Sequence, residues 1–160
     1  MSHTPPLAQA LISRWPGVLL NGTLASLGSA AALAWRGRRE NGRALGPLNA
    51  PAHWFWGRES LRRDGASLRH TLTGMLIHHA SSLFWAVFYE MLRLRRTRPT
   101  PANAVGDAAA LTAVAAAVDL QLVPQRLAPG FERRISGRGL VWVYAGFAAG
   151  LALGACLRRR

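Results

Sequence analysis

Three long stretches of the chain carry no formal charge, and arginine-rich segments separate them. The stretches cover residues 16–35, 71–89 and 139–157. A bilayer hydrocarbon core of about 30 Å needs about 20 helical residues, so each stretch is long enough to cross it. A helix that is apolar all round has to be buried all round, and soluble domains rarely contain three such helices. The pattern therefore predicts an integral membrane protein.

Tryptophan and arginine mark the edges of these stretches. RW at 14–15 and WR at 35–36 bracket the first stretch, and both residue types favour the headgroup region. The second stretch ends at RLRR, residues 93–96, and the last one ends at the C-terminal RRR. The membrane spans predicted here are about 16–35, 70–92 and 139–157.

A further span is predicted at about 102–124, in an alanine-rich segment that starts after Pro101 and ends near Pro124. Proline at both ends suits the start and the stop of a helix. The segment also carries Asp107 and Asp119, and a re-entrant or surface helix is the alternative.

The connection between the first two spans is long, and its segment at about 50–64 places aromatic residues beside arginines. This combination is typical of a short helix that lies in the membrane interface. We therefore expect an all-α fold with one membrane domain over residues 1–160. The domain would be a bundle of four transmembrane helices with a short interfacial segment in the first loop.

The chain has a formal net charge of +13, and all twenty of its basic residues are Arg. Such a charge is typical of a nucleic-acid binder or of a membrane protein with basic flanks. The arginines cluster around charge-free runs, which favours the lipid bilayer as the partner and not a nucleic acid. Twelve arginines lie in the predicted first and third loops and eight elsewhere. The positive-inside rule then places both termini outside, by a margin that a dual-topology protein would also show.

Neither a secretory leader nor a cysteine motif is expected. The N-terminal MSHTPPLAQALISRW lacks a basic n-region, and the apolar run after it continues to full spanning length. The single Cys156 excludes an intrachain disulfide and any CxxC metal or redox motif.

Three strings of the chain, GPLNAPAHWFWG, HHASSLFWAVFYE and DLQLVPQRLAPGFERRISGR, resemble segments of small proteobacterial inner-membrane proteins of unknown function. The resemblance covers most of residues 46–150. It implies four spans in a bacterial inner (cytoplasmic) membrane, and it implies no activity, cofactor or catalytic residue.

Polar side chains of the second span fall on one stripe of the helix, within about 120° at 100° per residue. Lipid offers no hydrogen bonds, so the stripe should face protein. His79 and Glu90 lie on another line, which predicts a second protein-facing side or a Glu90 at the interface. The members of the stripe are His70, Thr71, Gly74, His78, Ser81, Ser82, Trp85 and Tyr89.

Depth along the helices suggests how these groups pair. At 1.5 Å per residue, His78 and Asp119 lie on the first-loop side of the bilayer centre. Asn21, Asp107 and Glu90 lie on the other side. We expect Asp119 to pair with His78, and Asp107 with Asn21, as interhelical ties of about 0.6 kcal/mol each. The alternative is that the same groups form a proton pathway or a ligand site.

No catalytic motif or metal site is expected. His78 and His79 are adjacent, so they point about 100° apart and cannot share one ion within a span. The chain shows no carboxylate-bridge spacing, no Ser–His–Asp order, no P-loop and no GxGxxG. Axial ligation of haem by His78 or His79 of two chains in a dimer is an alternative to the absence of a cofactor.

The fourth span carries Gly146, Gly150 and Gly154 at a strict spacing of four residues. Small residues at this spacing let two helix backbones approach closely. We expect the ridge to pack within the bundle, with a homodimer seam or another membrane-protein partner as the alternative.

These patterns together predict a non-enzymatic inner-membrane protein with an interaction or accessory role. The alternative is a small proton-coupled transporter or channel that uses the intramembrane Asp, Glu and His residues. A transporter needs a water-accessible cavity that reaches these acids, whereas a scaffold should bury them without water.

Overall fold

The computed structural model describes Gln9 and residues 12–158, and this part of the chain forms helices and turns with no strand. The prediction of an all-α fold is therefore confirmed. The four long helices are α1 (Trp15–Asn41), α2 (Thr73–Leu94), α3 (Pro101–Ala117) and α4 (Gly137–Leu157). A π-helical turn at Leu68–Leu72 precedes α2, and another at Val118–Leu122 continues α3.

Short helical turns fill the two long connections. The first connection contains Gly46–Asn49, Ala50–Ala52, His53–Trp56 and Arg58–Arg62. The third connection contains one turn at Phe131–Arg133. The prediction about a signal peptide concerns a segment that lies largely outside the described residues. The last two arginines of the C-terminal RRR also lie outside them.

Side-chain caps determine where two of the long helices begin. Thr100 Oγ1 accepts a hydrogen bond of 3.1 Å from the backbone N–H of Asn103 at the start of α3. Ser136 Oγ accepts one of 3.1 Å from the N–H of Gly139 at the start of α4. Each bond satisfies one of the N–H groups that a helix start leaves unpaired. Helix α1 ends at Asn41 and is capped by Gly42, whose φ of 68° lies in the left-handed region that glycine adopts without strain.

Three helices in the described part of the chain are long and apolar enough to cross a membrane. They correspond to the spans expected at 16–35, 102–124 and 139–157. The first runs further than expected, to Asn41, where an ion pair between Arg36 and Glu40 supports an extra polar turn. The helices concerned are Trp15–Asn41, Pro101–Leu122 and Gly137–Leu157.

Helix α3 belongs to the bundle and does not lie apart from it. Ala104, Ala108 and Leu111 are buried in one core cluster together with Phe147 and Leu151 of α4. The segment therefore packs as a member of the bundle. Helix α2 packs against α1 and also contacts α3.

Neighbouring helices run antiparallel. Asn21, early in α1, bonds Glu90, late in α2, whereas Ser29 further along α1 bonds His78 further back in α2. One end of the bundle therefore holds the starts of α1 and α3 and the ends of α2 and α4, and we call it the termini end. The opposite end, covered by the connections 42–67 and 123–136, is called the capped end.

The closest helix packing is between α1 and α4, and it depends on small residues of both helices. A Cβ added to Gly146 would lie 2.7 Å from the carbonyl oxygen of Gly28. A Cβ added to Gly150 would collide with the backbone at Ala25, and one at Gly154 would also meet α1. The structure thus places all three glycines of the ridge against α1 of the same chain.

The first connection folds back onto the capped end. Leu48 and Ala52 are buried, and a Cβ on Gly74 of α2 would collide with the carbonyl oxygen of Leu48. Phe55 and Trp56 instead point outwards, and Phe55 is 71% exposed. The segment expected at 50–64 therefore has one side on the protein and an outer side on which Phe55 is largely exposed.

Candidate functional site

A cluster of charges at the termini end surrounds Glu90, which is 2% exposed. Its carboxylate accepts a hydrogen bond of 2.6 Å from Asn21 Nδ2. It also pairs with Arg14 at 3.3 Å and with Arg158 at 3.2 Å. Gly17 makes room for this cluster, because a Cβ there would collide with the Arg158 guanidinium. Glu90 is therefore fully inside the protein, on a second protein-facing side of α2.

A second buried acid, Asp107, lies at the same end. Arg96 Nε donates to Asp107 Oδ2 at 3.2 Å, and Arg93 Nη1 lies 3.5 Å from the same oxygen. The expected pair between Asp107 and Asn21 is wrong, because Asn21 bonds Glu90 instead. The sequence correctly predicted that Asn21, Asp107 and Glu90 lie at the same end of the bundle. It did not predict the direction in which each side chain points from its helix. Both acids are neutralised by arginines and serve as ties between helices.

The stripe of polar residues on α2 faces the bundle as expected. Its members are all buried or half-buried, and Tyr89 is fully buried. The Tyr89 hydroxyl donates to the carbonyl oxygen of Ala104 at 2.9 Å, which joins α2 to α3 at the termini end. His70, at the other end of the stripe, bonds Ser60 at 2.9 Å and Glu59 at 3.1 Å.

Towards the capped end, a cavity of about 570 Å³ opens between α2, α3 and α4. It extends from Ser29 and Phe147 in the bundle to Pro51 and Trp54 in the first connection. Most of its lining is apolar. Its hydroxyl, imidazole and carboxyl groups come from six side chains in the bundle, namely Ser29, His78, Ser81, Ser82, Asp119 and Tyr144.

His78 and Asp119 both line this cavity, but each has its own partner. His78 Nε2 lies 2.9 Å from Ser29 Oγ, whose own proton is directed to the carbonyl oxygen of Ala25 at 2.7 Å. The histidine therefore donates from Nε2. Asp119 Oδ2 accepts a bond of 3.3 Å from the Tyr144 hydroxyl. The expected ion pair between His78 and Asp119 is wrong, because each has a different partner.

His79 is half-buried beside His78 and does not line the cavity. Within the described residues, no group of three or more His, Cys, Asp and Glu side chains is placed to hold a metal ion. The Nε2 atom that would ligate a haem iron at His78 is taken up by Ser29.

Two residues of the site were missed by sequence reasoning. Tyr144 supplies the bond to Asp119, and Ser29 supplies the bond to His78. Ser29 lies about one turn after Ser26 and two turns after Gly22, which are small residues, so it was indistinguishable from a packing residue. Tyr144 follows Trp142 and could equally have been an interfacial aromatic residue.

Comparison of the chain with protein-family models, with curated proteins and with solved structures found no match. The fold and the site themselves define the class: a helical bundle with three membrane-capable helices, ion-paired acids at one end and a cavity at the other.

Proposed function

We propose that the chain is a bacterial inner-membrane protein that crosses the bilayer four times and has a non-enzymatic, accessory role. The observation that carries this proposal is the exposed face of α2. The fourth crossing depends on this helix, which is not among the three described helices that are apolar enough by composition to cross a membrane.

The polar residues of α2 face the protein, and its outer line is apolar. Leu76, Phe84 and Phe88 are 60%, 57% and 40% exposed, and they follow one another at multiples of four residues. Leu72 and Ala80 complete the line. Residues four apart are neighbours offset by about 40°, so these side chains form an apolar strip that winds gradually around α2. Such a strip suits lipid, while the stripe of hydrogen-bonding groups is satisfied inside the bundle.

Aromatic residues and arginines at the capped end support an interfacial position there. Trp35 and Trp142 pack edge to face with ring centroids 5.6 Å apart, and Arg36 lies over Trp35 at 5.2 Å. Arg69 lies 4.2 Å above the Trp56 ring in the first connection. Such amphipathic side chains favour the headgroup region. The excess of arginines at this end orients it towards the cytoplasm by the positive-inside rule.

The buried acids of the termini end support an accessory role over chemistry. Glu90 and Asp107 are enclosed by arginines and are not left free to bind or to transfer protons. Arginine pairs of this kind offset the cost of placing a carboxylate in the membrane.

Cysteine labelling tests the fourth crossing. Replacing Cys156 with Ser removes the only thiol. Single cysteines are then introduced at the exposed positions Gly65, Thr97 and Gln125, which lie in the three connections. If α2 crosses the membrane, Gly65→Cys and Gln125→Cys react with an impermeant maleimide from one side and Thr97→Cys from the other. Labelling of Gly65→Cys and Thr97→Cys from the same side would show that α2 does not cross.

The cavity favours a second candidate, a proton-coupled transporter or channel, because it brings Asp119 and His78 to one space. In proteoliposomes, this function predicts a proton flux that Asp119→Asn abolishes and Glu59→Gln leaves intact. A flux equal to that of empty vesicles would exclude it.

A further inference from the structure

Asp119 differs from the other acids inside the bundle, because no cationic side chain among the described residues pairs with it. Glu90 and Asp107 each pair with two arginines. Within the described part of the chain, Asp119 accepts a bond from the Tyr144 hydroxyl and forms no ion pair. Its carboxylate lines the cavity, so the missing positive charge could be supplied by a molecule that enters there.

Aromatic rings surround the same space. The negative face of an aromatic ring attracts cations, and the attraction is strongest where water is excluded. A carboxylate combined with several rings therefore favours a ligand that carries a positive charge on an apolar body. Six aromatic residues line the cavity: Trp54, Phe84, Trp85, Phe131, Tyr144 and Phe147.

The lining also disfavours an anionic or strongly polar ligand. No arginine of the described chain contributes to it, although the chain is rich in arginine. The side-chain hydrogen bond of His78 is already made with Ser29. The volume of about 570 Å³ falls within the roughly 300–1,000 Å³ that is typical of sites for drug-sized molecules.

The cavity opens towards the apolar strip of α2. Ala80 and Phe84 belong to that strip, are exposed, and also line the cavity. In a membrane, this mouth would face the hydrocarbon region and not water. A ligand would therefore reach Asp119 by first dissolving in the bilayer.

We propose that this cavity binds a lipophilic cation, whose charge is held by Asp119 and whose apolar body packs against the aromatic rings. The inference rests on the proposed membrane crossing of α2, because only then does the cavity open to lipid. It goes beyond an accessory role, since it assigns a ligand class to a specific carboxylate.

The probe for this site is tetraphenylphosphonium, with neutral triphenylphosphine oxide as its uncharged counterpart. Binding is measured by calorimetry on protein in zwitterionic-lipid nanodiscs, with empty nanodiscs subtracted. We expect saturable binding of the cation and at least about tenfold weaker binding of the neutral compound. Asp119→Asn should weaken cation binding about tenfold or more. Loss of a contact with a charged group in a site without water lowers the binding affinity by more than a factor of about ten.

Three variants separate loss of the site from loss of the fold. Ala80→Trp should close the cavity mouth and abolish binding, since position 80 is exposed and tolerates a large side chain. Ala113→Trp makes the same change at an exposed position of α3 outside the cavity and should bind as the wild type does. Glu59→Gln removes a carboxylate outside the cavity and should also bind normally.

Absence of saturable binding to the wild type would overturn the proposal, as would equal affinity for the neutral compound or full binding by Asp119→Asn. Cysteine labelling on the same preparation distinguishes the two levels of failure. Four-span labelling without binding refutes the ligand site alone, whereas Gly65→Cys and Thr97→Cys reacting from one side refute the proposed topology.

Discussion

At the scale of single residues, Glu90 shows how this bundle tolerates a buried charge. A carboxylate that is removed from water costs free energy unless hydrogen-bond donors and counter-charges replace the water. Here Asn21, Arg14 and Arg158 all direct donors at it. These partners come from the start of α1 and from just beyond the end of α4, so one carboxylate joins three helices.

Replacing Glu90 with Gln should destabilise the protein by about 1–3 kcal/mol, because two arginines lose their counter-charge and the new amide brings buried donors that lack acceptors. Thermal unfolding in detergent measures the change. Glu59→Gln, at an exposed carboxylate, is the control and should leave the midpoint nearly unchanged. An unaltered midpoint for Glu90→Gln would mean that the cluster contributes nothing to stability.

The residues of this cluster could be predicted only in part from sequence. Helix rise placed Asn21, Asp107 and Glu90 at one depth, and the structure agrees with that depth. The rise per residue gives no information on which helices are neighbours or on how each helix is rotated about its own axis. The partners Asn21–Glu90 and His78–Ser29 therefore could not be derived, and the expected pairs Asp107–Asn21 and His78–Asp119 were wrong.

At the scale of helices, the contact between α1 and α4 depends on the absence of side chains. Gly28 and Gly146 face each other, and Gly150 meets the α1 backbone. Membrane helices gain little from burying apolar surface away from lipid, so close backbone packing is a main source of their association. The spacing of the glycines was visible in the sequence, but the helix they contact was not.

The variant Gly150→Leu should cost about 3 kcal/mol or more, because the new side chain would overlap the backbone of α1. The matched control is Gly106→Leu on α3, where a Cβ would meet nothing within 4 Å. Thermal unfolding and light scattering in detergent measure stability and oligomeric state. A change of oligomeric state with unchanged stability would instead indicate that the glycine ridge joins two copies of the chain.

For helix α2, the average hydropathy and the direction of each side chain around the helix lead to different predictions about whether it spans a membrane. Its histidines, serines and glutamate lower its average hydropathy, and it is not among the three helices that are apolar enough by composition. The helical wheel predicted that these groups share protein-facing sides, and the structure places them there. An average over a segment cannot represent this, because it discards the direction of each side chain.

At the scale of the whole molecule, the two ends of the bundle are built differently. Arginines fill the space between helices at the termini end, whereas a cavity occupies the other end beneath the two connections. Trp54 of the first connection donates to the carbonyl oxygen of Ala128 in the third at 3.0 Å. Arg134 donates to Leu61 at 2.8 Å and also pairs with Asp64. The connections therefore form one cap over the cavity.

The variant Arg134→Gln should loosen this cap as a unit. Loss of its bonds to the first connection should lower the local opening free energy by about 1 kcal/mol, roughly a fivefold faster amide exchange. Hydrogen exchange followed by mass spectrometry should show the increase in both 42–67 and 123–136, with the termini end unaffected. The control is Arg133→Gln, since Arg133 contacts only Glu132 and Gln125 of its own connection among the described residues. Faster exchange confined to 123–136 would show that the two connections move independently and that no common cap closes the cavity.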